Sequence, residues 1–235
     1  MQKRPILICD WDCTLAEPTS RDFYNLHRIA TKKAISTQFQ LNDNQVEELY
    51  SVLSAEGIRI EKLFSSANLV SRFNLTSNGP SRFDILKDAL ESIDPSEWFK
   101  PDAELVQELR LLKSHMRIIV LSNSPIGIIR NIGEIIGFDM DKDFDTYYTM
   151  TSETGAPKFV NPAAAFDRIN ADHKPDIAQS WSIGDSPKID LDPALALGMN
   201  TAFVDNLDRH DSAEPYAFKA HTVPTLQRIR HSLIR

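Results

Sequence analysis

A short apolar run, Pro5 to Cys9, stops abruptly at Asp10-Trp11-Asp12-Cys13-Thr14-Leu15. Two carboxylates one residue apart at the end of a buried strand put negative charge where the backbone leaves the sheet. Burying that charge is costly unless a cation or a reaction uses it. Three later apolar runs end in the same way: Arg117 to Leu121 at Ser122, Ser180 to Ile183 at Gly184-Asp185, and Thr201 to Val204 at Asp205. Polar side chains gathered at strand ends predict an open α/β sheet, because ligands of such sheets bind there.

Between the first strand and the others the pattern turns helical for about eighty residues, judged by apolar recurrence at three- and four-residue steps. Phe23, Leu26, Ile29, Ala30 and Ala34 make one stripe, and Val46, Leu49, Tyr50 and Leu53 a second that starts at Asn42 or Asp43 and stops at Gly57. A third runs through Ile60, Leu63, Phe64 and Ala67 toward Phe73, before the breaker cluster Ser77-Asn78-Gly79-Pro80. Ser81 with Asp84 reads as a capping box for a fourth, carrying Phe83, Leu86, Leu90 and Ile93.

From Pro101 onward strands and helices alternate, the pattern of a parallel sheet with crossover helices. Helices are predicted over Asp102 to Lys113, Ile126 to Ile136, Ala163 to Ile169, Pro193 to Leu197 and Thr225 to Ile234, with a further strand at Thr146 to Thr149. The expected architecture is a Rossmann-like parallel α/β core, residues 1–16 and 96–235, carrying a small inserted four-helix domain, residues 17–95.

Composition excludes several classes. A net charge of −7 over 235 residues argues against a nucleic-acid polymer as partner, since phosphate-backbone binding needs a basic surface. A small anionic substrate stays open, because a few local cations set the field inside one cleft. The apolar runs are too short for a membrane span, and the stretch after Lys3-Arg4 meets Asp10 too soon for a secretory leader, so a cytoplasmic protein with no membrane partner is expected. The two cysteines, Cys9 and Cys13, have no second ligand pair at zinc spacing, and read as core filling and a free thiol.

Asp10-x-Asp12-x-Thr14, Ser122 after an apolar strand, Lys158 in a loop before a helix, and Gly184-Asp185-Ser186-Pro187-Lys188-Ile189-Asp190 after another strand occur in that order. Together they resemble the four motifs of the haloacid dehalogenase superfamily, over the whole chain. Most of its members are magnesium-dependent phosphatases. The resemblance implies that Asp10 is a nucleophile forming an aspartyl phosphate, and that Asp12 protonates the leaving oxygen and then activates water. It also implies a magnesium ion on Asp10, the backbone carbonyl of Asp12 and Asp185. Ser122, the backbone N–H of Asn123, and Lys158 would bind the phosphoryl group of a small phosphorylated substrate. Thr14 would brace the loop, Ser186 would reach a metal-bound water, and Asp190 would orient the metal's waters or Lys158. The inserted helices would act as a cap that chooses the substrate; its cations Arg21, Arg28, Lys32, Arg59, Lys62 and Arg72 are candidates to face the cleft, most of them reading as solvated helix faces and none singled out.

Two departures and four rivals accompany this resemblance. Cys13 stands where the family usually has glycine, so a side chain crowds the loop if its backbone needs glycine-like geometry. No proline follows Lys158, where the third motif commonly has one. A dehalogenase would use Asp10 without requiring an acid at Asp12, and a phosphomutase would share every core residue. A phospho-accepting receiver would have adjacent acids and no helical insertion. A catalytically weak phosphate-binding protein on the same scaffold would give no steady turnover. The acidic stretch Asp205 to Tyr216 reads as a solvated loop.

Overall fold

The computed structural model describes residues 3–20, 22–55, 67–75, 82–149, 158, 161–206 and 215–233. The chain divides into two compact units, Met1–Ser20 with Pro95–Arg235, and Arg21–Asp94.

In the larger unit β1 (Ile6–Cys9) pairs in parallel with β2 (Arg117–Leu121) on one side and β4 (Trp181–Gly184) on the other. With β3 (Thr146–Tyr148), β5 (Asn200–Val204) and β6 (Lys219–Ala220) the described strands form a parallel sheet of order β3-β2-β1-β4-β5-β6. The order reverses beside β1, between β2 and β4. That reversal splays the connections apart and opens a crevice at the carboxyl ends, where Asp10 and Asp185 follow their strands.

Every residue of β1 and β4 is buried, as a strand covered on both faces requires. Ile6 and Ile8 share a face with Ile119 and Leu121, packed against Ala165, Phe166 and Ile169 of α7 (Pro162–His173) and Ala194 of α8 (Asp192–Ala196). On the larger unit's other helices, α5 (Ala103–Lys113) packs against α9 (Thr222–Leu233), and an Arg230–Glu108 ion pair at 3.0 Å joins them. Local caps set the helix starts. Asp102 accepts from Leu105 N–H, and Asn161 accepts from Ala164 N–H just ahead of Pro162, which needs no N–H at that position. Helix α6 (Ile126–Ile136) ends at Gly137, whose φ of 108° few other residues tolerate.

The smaller unit holds α1 (Asp22–Phe39), α2 (Asp43–Ala55), α3 (Ala67–Arg72) and α4 (Arg82–Glu91). Ile35, Leu41, Val46, Leu49, Leu53, Leu69, Phe73 and Leu75 form its core. Asn42 and Gln45 cap α2 reciprocally: each side-chain oxygen accepts from the other's backbone N–H, at 2.9 and 3.0 Å.

Several expectations are corrected here. The buried line on α1 is Phe23, Thr31 and Ile35, while Ile29 is 58% exposed and Leu26, Ala30 and Ala34 are only half-buried. Two helical rows compete in that sequence, and the one through Phe23 and Thr31 wins by continuing to Ile35. The edge strand β6 was not expected, being too short to show a pattern. Helix α9 starts at Thr222 and α7 runs on to His173. The predicted breaker Ser77-Asn78-Gly79-Pro80, the Ser81 cap, most of the third predicted helix and the middle of the Asp205 to Tyr216 stretch lie outside the described residues.

Candidate active site

The strand-end spacing of the first motif has a packing reason. Trp11, between the two acids, is fully buried with its ring against Phe138 and Phe144 at centroid distances of 6.3 and 6.1 Å. β1 ends at Cys9 and the chain turns at Trp11, so anchoring this ring in the core fixes where Asp10 and Asp12 leave the strand. The loop is then closed by backbone bonds from Ala16 N–H to Trp11 O at 2.8 Å and Cys13 N–H to Ala16 O at 2.9 Å. Asn206 and Thr222 donate to the carbonyls of Cys13 and Thr14, tying the loop to the other edge of the sheet.

Both oxygens of Asp10 are held. Thr14 Oγ1 donates to Oδ2 at 3.0 Å, and Lys158 Nζ donates to Oδ1 at 2.5 Å. Lys158 is itself buried and also donates to Asp190 Oδ1 at 2.6 Å and to Leu121 O at 3.0 Å. Burial works against the Lys158 charge, but the carboxylates of Asp10 and Asp190 outweigh it and keep the ammonium protonated well above the usual lysine range. Burial pushes the Asp190 carboxyl up to about 7 against the pull of Lys158, with Asp10 adding to the rise. One cation facing two carboxylates leaves the cluster short of positive charge.

Asp190 reaches this place through local geometry. It lies in a π-helical turn, Pro187–Leu191, with its carbonyl taking Ser182 Oγ at 2.8 Å and its Oδ2 taking Ser186 N–H at 2.8 Å. A Cβ on Gly184 would stand 2.3 Å from Asp190 Cβ, so only glycine lets Asp190 fold back over the strand end.

Asp12 is held from β2's side. Ser124 Oγ donates to its Oδ2 at 2.6 Å, and Ser122 Oγ lies 3.4 Å from the same oxygen. Ser122 Oγ in turn accepts from Ser124 N–H at 3.0 Å. Burial of its carboxyl, then the neighbouring Asp10 charge, push Asp12 up to about 6, although the Ser124 bond and Lys158 pull the other way. A carboxyl in this range gives and takes a proton near neutral pH.

Asp10, Asp185 and Asp190 each offer an oxygen, and these lie within 4.8 Å of one another. Hard carboxylate oxygens around a charge-deficient cluster fit a small divalent cation such as magnesium. The Asp12 side chain does not join them, which suits a residue reading in which only its backbone carbonyl serves a metal. Asp190 was expected to orient waters or Lys158; its carboxylate holds Lys158 and also stands in the acidic group.

The predicted site residues fall into two hydrogen-bonded sets, Thr14–Asp10–Lys158–Asp190 with Asp185 beside it, and Ser122–Asp12. Ser186 touches the first through its backbone N–H, and half-buried Asn123 follows Ser122 in the loop before α6. Ser124 was missed. Its only sequence signal is a second hydroxyl two residues after Ser122, ahead of a proline that opens a helix. Asp205, also at a strand end, is buried against Lys219 at 3.0 Å and holds the sheet edge instead. Among the six basic residues expected on the inserted helices, Lys32 pairs with Glu47 and Arg72 with Glu48, Arg28 is exposed, and Arg21, Arg59 and Lys62 lie outside the described residues.

Cys13 has φ of 60°, the left-handed region that disfavours a Cβ. Glycine would be the conformationally relaxed choice at this position, and the chain carries the strain of a cysteine there. Cys13→Gly is expected to stabilise the protein by about 0.5–1 kcal/mol, the relief of roughly 1–2 kcal/mol being partly offset by the freer unfolded chain. A urea midpoint at or below that of the unmodified protein would contradict this. Cys9 is buried, and burial followed by the Asp10 charge pushes its thiol well above the usual range, so it is unreactive filling.

No family model matches the sequence, and no curated protein matches it. Solved structures do. The HAD phosphatase from Thermococcus onnurineus is 15% identical over 96% of this chain and 97% of its own, with a TM-score of 0.59. The HAD-hydrolase YfnB from Bacillus subtilis, bound to magnesium, is 14% identical over 97% and 99%, with a TM-score of 0.58. The 2-haloacid dehalogenase from Pseudomonas syringae pv. Tomato DC3000 is 16% identical over 97% and 99%, also at 0.58. The chain has the haloacid dehalogenase-like fold. Phosphatases and dehalogenases share it, so the fold leaves the reaction to be argued from the site. Among the described residues no helix is long and apolar enough to cross a membrane.

Proposed function

We propose that the chain is a magnesium-dependent phosphomonoester hydrolase of the haloacid dehalogenase superfamily, acting on a small phosphorylated metabolite, with residues 17–95 as its cap domain. The observation that carries this reading is Asp12. A second carboxyl, gripped by Ser122 and Ser124 and raised to about 6 beside Asp10, suits proton transfer to and from oxygen, which displacement of a halide does not need.

Asp10, its charge steadied by Lys158 and Thr14, attacks phosphorus as the bond to the leaving oxygen breaks, and Asp12 gives that oxygen its proton. Asp12 then takes a proton from the water that hydrolyses the aspartyl phosphate, which returns both carboxyls to their starting states. Ser122, the Asn123 N–H and Lys158 hold the phosphoryl oxygens near the start of α6, whose N-cap Pro125 supplies no side-chain cap. Asp10, the Asp12 carbonyl and Asp185 would hold magnesium, which when bound neutralises charge on the phosphoryl oxygens.

The test is release of inorganic phosphate from p-nitrophenyl phosphate and a panel of sugar phosphates. Turnover is expected with magnesium and no bisphosphate activator, and is expected to vanish with chelator. Halide release from a 2-haloacid, or phosphate release only with a bisphosphate present, would reassign the site to a dehalogenase or a mutase.

A further inference from the structure

Ser122 and Ser124 flank Asn123 in the three-residue turn between β2 and Pro125, and they do different things. Ser122 Oγ accepts from the Ser124 N–H, so its oxygen is already fixed from one side, and its 3.4 Å approach to Asp12 is long for a hydroxyl bond. Ser124 Oγ lies 2.6 Å from the same Oδ2, within the range of a charge-assisted O–H···O bond. Ser124 is buried, and Pro125, which follows it, restricts its backbone just before α6.

We propose that Ser124 is a positioning residue that grips Oδ2 of Asp12 so that the other oxygen, Oδ1, exchanges the proton with the substrate. The proposal rests on the hydrolase reading above. With two hydroxyls directed at Oδ2, the carboxyl is fixed in rotation about its Cβ–Cγ bond. Oδ1 then carries the proton that leaves with the substrate's oxygen as the P–O bond breaks. In the second half-reaction the same oxygen takes a proton from water. Without Ser124 the carboxyl is held only through the longer contact to Ser122, and proton delivery is no longer aligned with bond breaking.

A leaving group that departs readily as an anion needs little help from an acid, whereas a poor one needs much. The experiment therefore compares p-nitrophenyl phosphate with phenyl phosphate, two esters of the same shape, for the unmodified protein and for Ser124→Ala, Ser124→Thr and Asp12→Asn. For Ser124→Ala, kcat/KM, which reports only the half-reaction that expels the alcohol and not the shared hydrolysis of the aspartyl phosphate, is expected to fall by about tenfold or more on phenyl phosphate and by less than about threefold on p-nitrophenyl phosphate, against the roughly 10²- to 10⁴-fold that a whole general acid supplies. Ser124→Thr should restore the ratio of the two kcat/KM values. The ratio of two substrates on one preparation does not depend on how much of that preparation is folded.

An equal loss of kcat/KM on both esters, or no loss, would overturn the proposal, the equal loss making Ser124 a ligand of the phosphoryl group that the two esters share. Asp12→Asn separates the two levels. If it shows the leaving-group dependence and Ser124→Ala does not, only the role of Ser124 fails. If Asp12→Asn shows none, the general-acid reading fails and takes the proposal with it.

Discussion

Asp10→Asn is expected to abolish phosphate release, lowering kcat by at least about a thousandfold, while leaving the folded protein intact. The two halves of this result come from different atoms. Loss of activity follows because an amide oxygen is a far poorer nucleophile than a carboxylate and cannot carry the phosphoryl group. Retention of fold follows from the partners of the two oxygens. Asparagine has the shape of aspartate, and its oxygen can still accept from Lys158 while its amide donates to the Thr14 hydroxyl, which has a lone pair to spare. The substitution also removes one negative charge from a group in which Asp12, Asp185 and Asp190 already crowd together. A urea midpoint close to that of the unmodified protein, together with absent turnover of p-nitrophenyl phosphate, is the expected pair. Substantial remaining turnover would remove Asp10 from the chemistry, whatever its hydrogen bonds.

How much of this could be read from the chain alone depended on which signal each residue left. Asp10 and Asp12 were legible because an apolar run stops abruptly at two acids one residue apart. Asp185 and Asp190 were legible through their distance from Gly184, and the structure gives the reason: the glycine leaves the space that Asp190 Cβ fills. Lys158 was harder. Nothing marks one lysine among many except its order before a helix and a strand, yet it sits between Asp10 and Asp190. Ser124 left only a weak trace, a second hydroxyl two residues after Ser122, because spacing does not show the direction of a side chain in a strand-to-helix turn. The two-residue strand β6 escaped for a simpler reason, having too few residues to alternate. Misreading the stripe on α1 shows the limit of periodicity where half the candidate rows contain small or polar residues: Thr31 is buried and Ile29 is not.

Lys158→Met should strongly destabilise the larger unit. The methionine keeps most of the length and the apolar stem but removes the ammonium that bonds Asp10 Oδ1, Asp190 Oδ1 and Leu121 O. Two buried carboxylates are then left facing each other with no cation, and breaking a buried pair from one side costs about 3–5 kcal/mol. The sign of the pH dependence separates this cause from a packing defect. Without the ammonium, burial and the Asp10 charge raise the Asp190 carboxyl further above its unfolded value. A group raised in the folded state contributes stability that is full below its unfolded pKa and is lost as pH rises through the folded one. The variant is therefore expected to be weakest at neutral and alkaline pH and to regain stability as the solution is acidified toward pH about 4 to 5, where one carboxyl can stay neutral. A packing defect would cost the same at every pH. Urea midpoints measured across that range for Lys158→Met and the unmodified protein decide it, and a gap that does not narrow in acid would mean that Lys158 is held by its stem and not by its charge. Turnover should be lost at every pH, because the nucleophile and the phosphoryl oxygens lose the same cation.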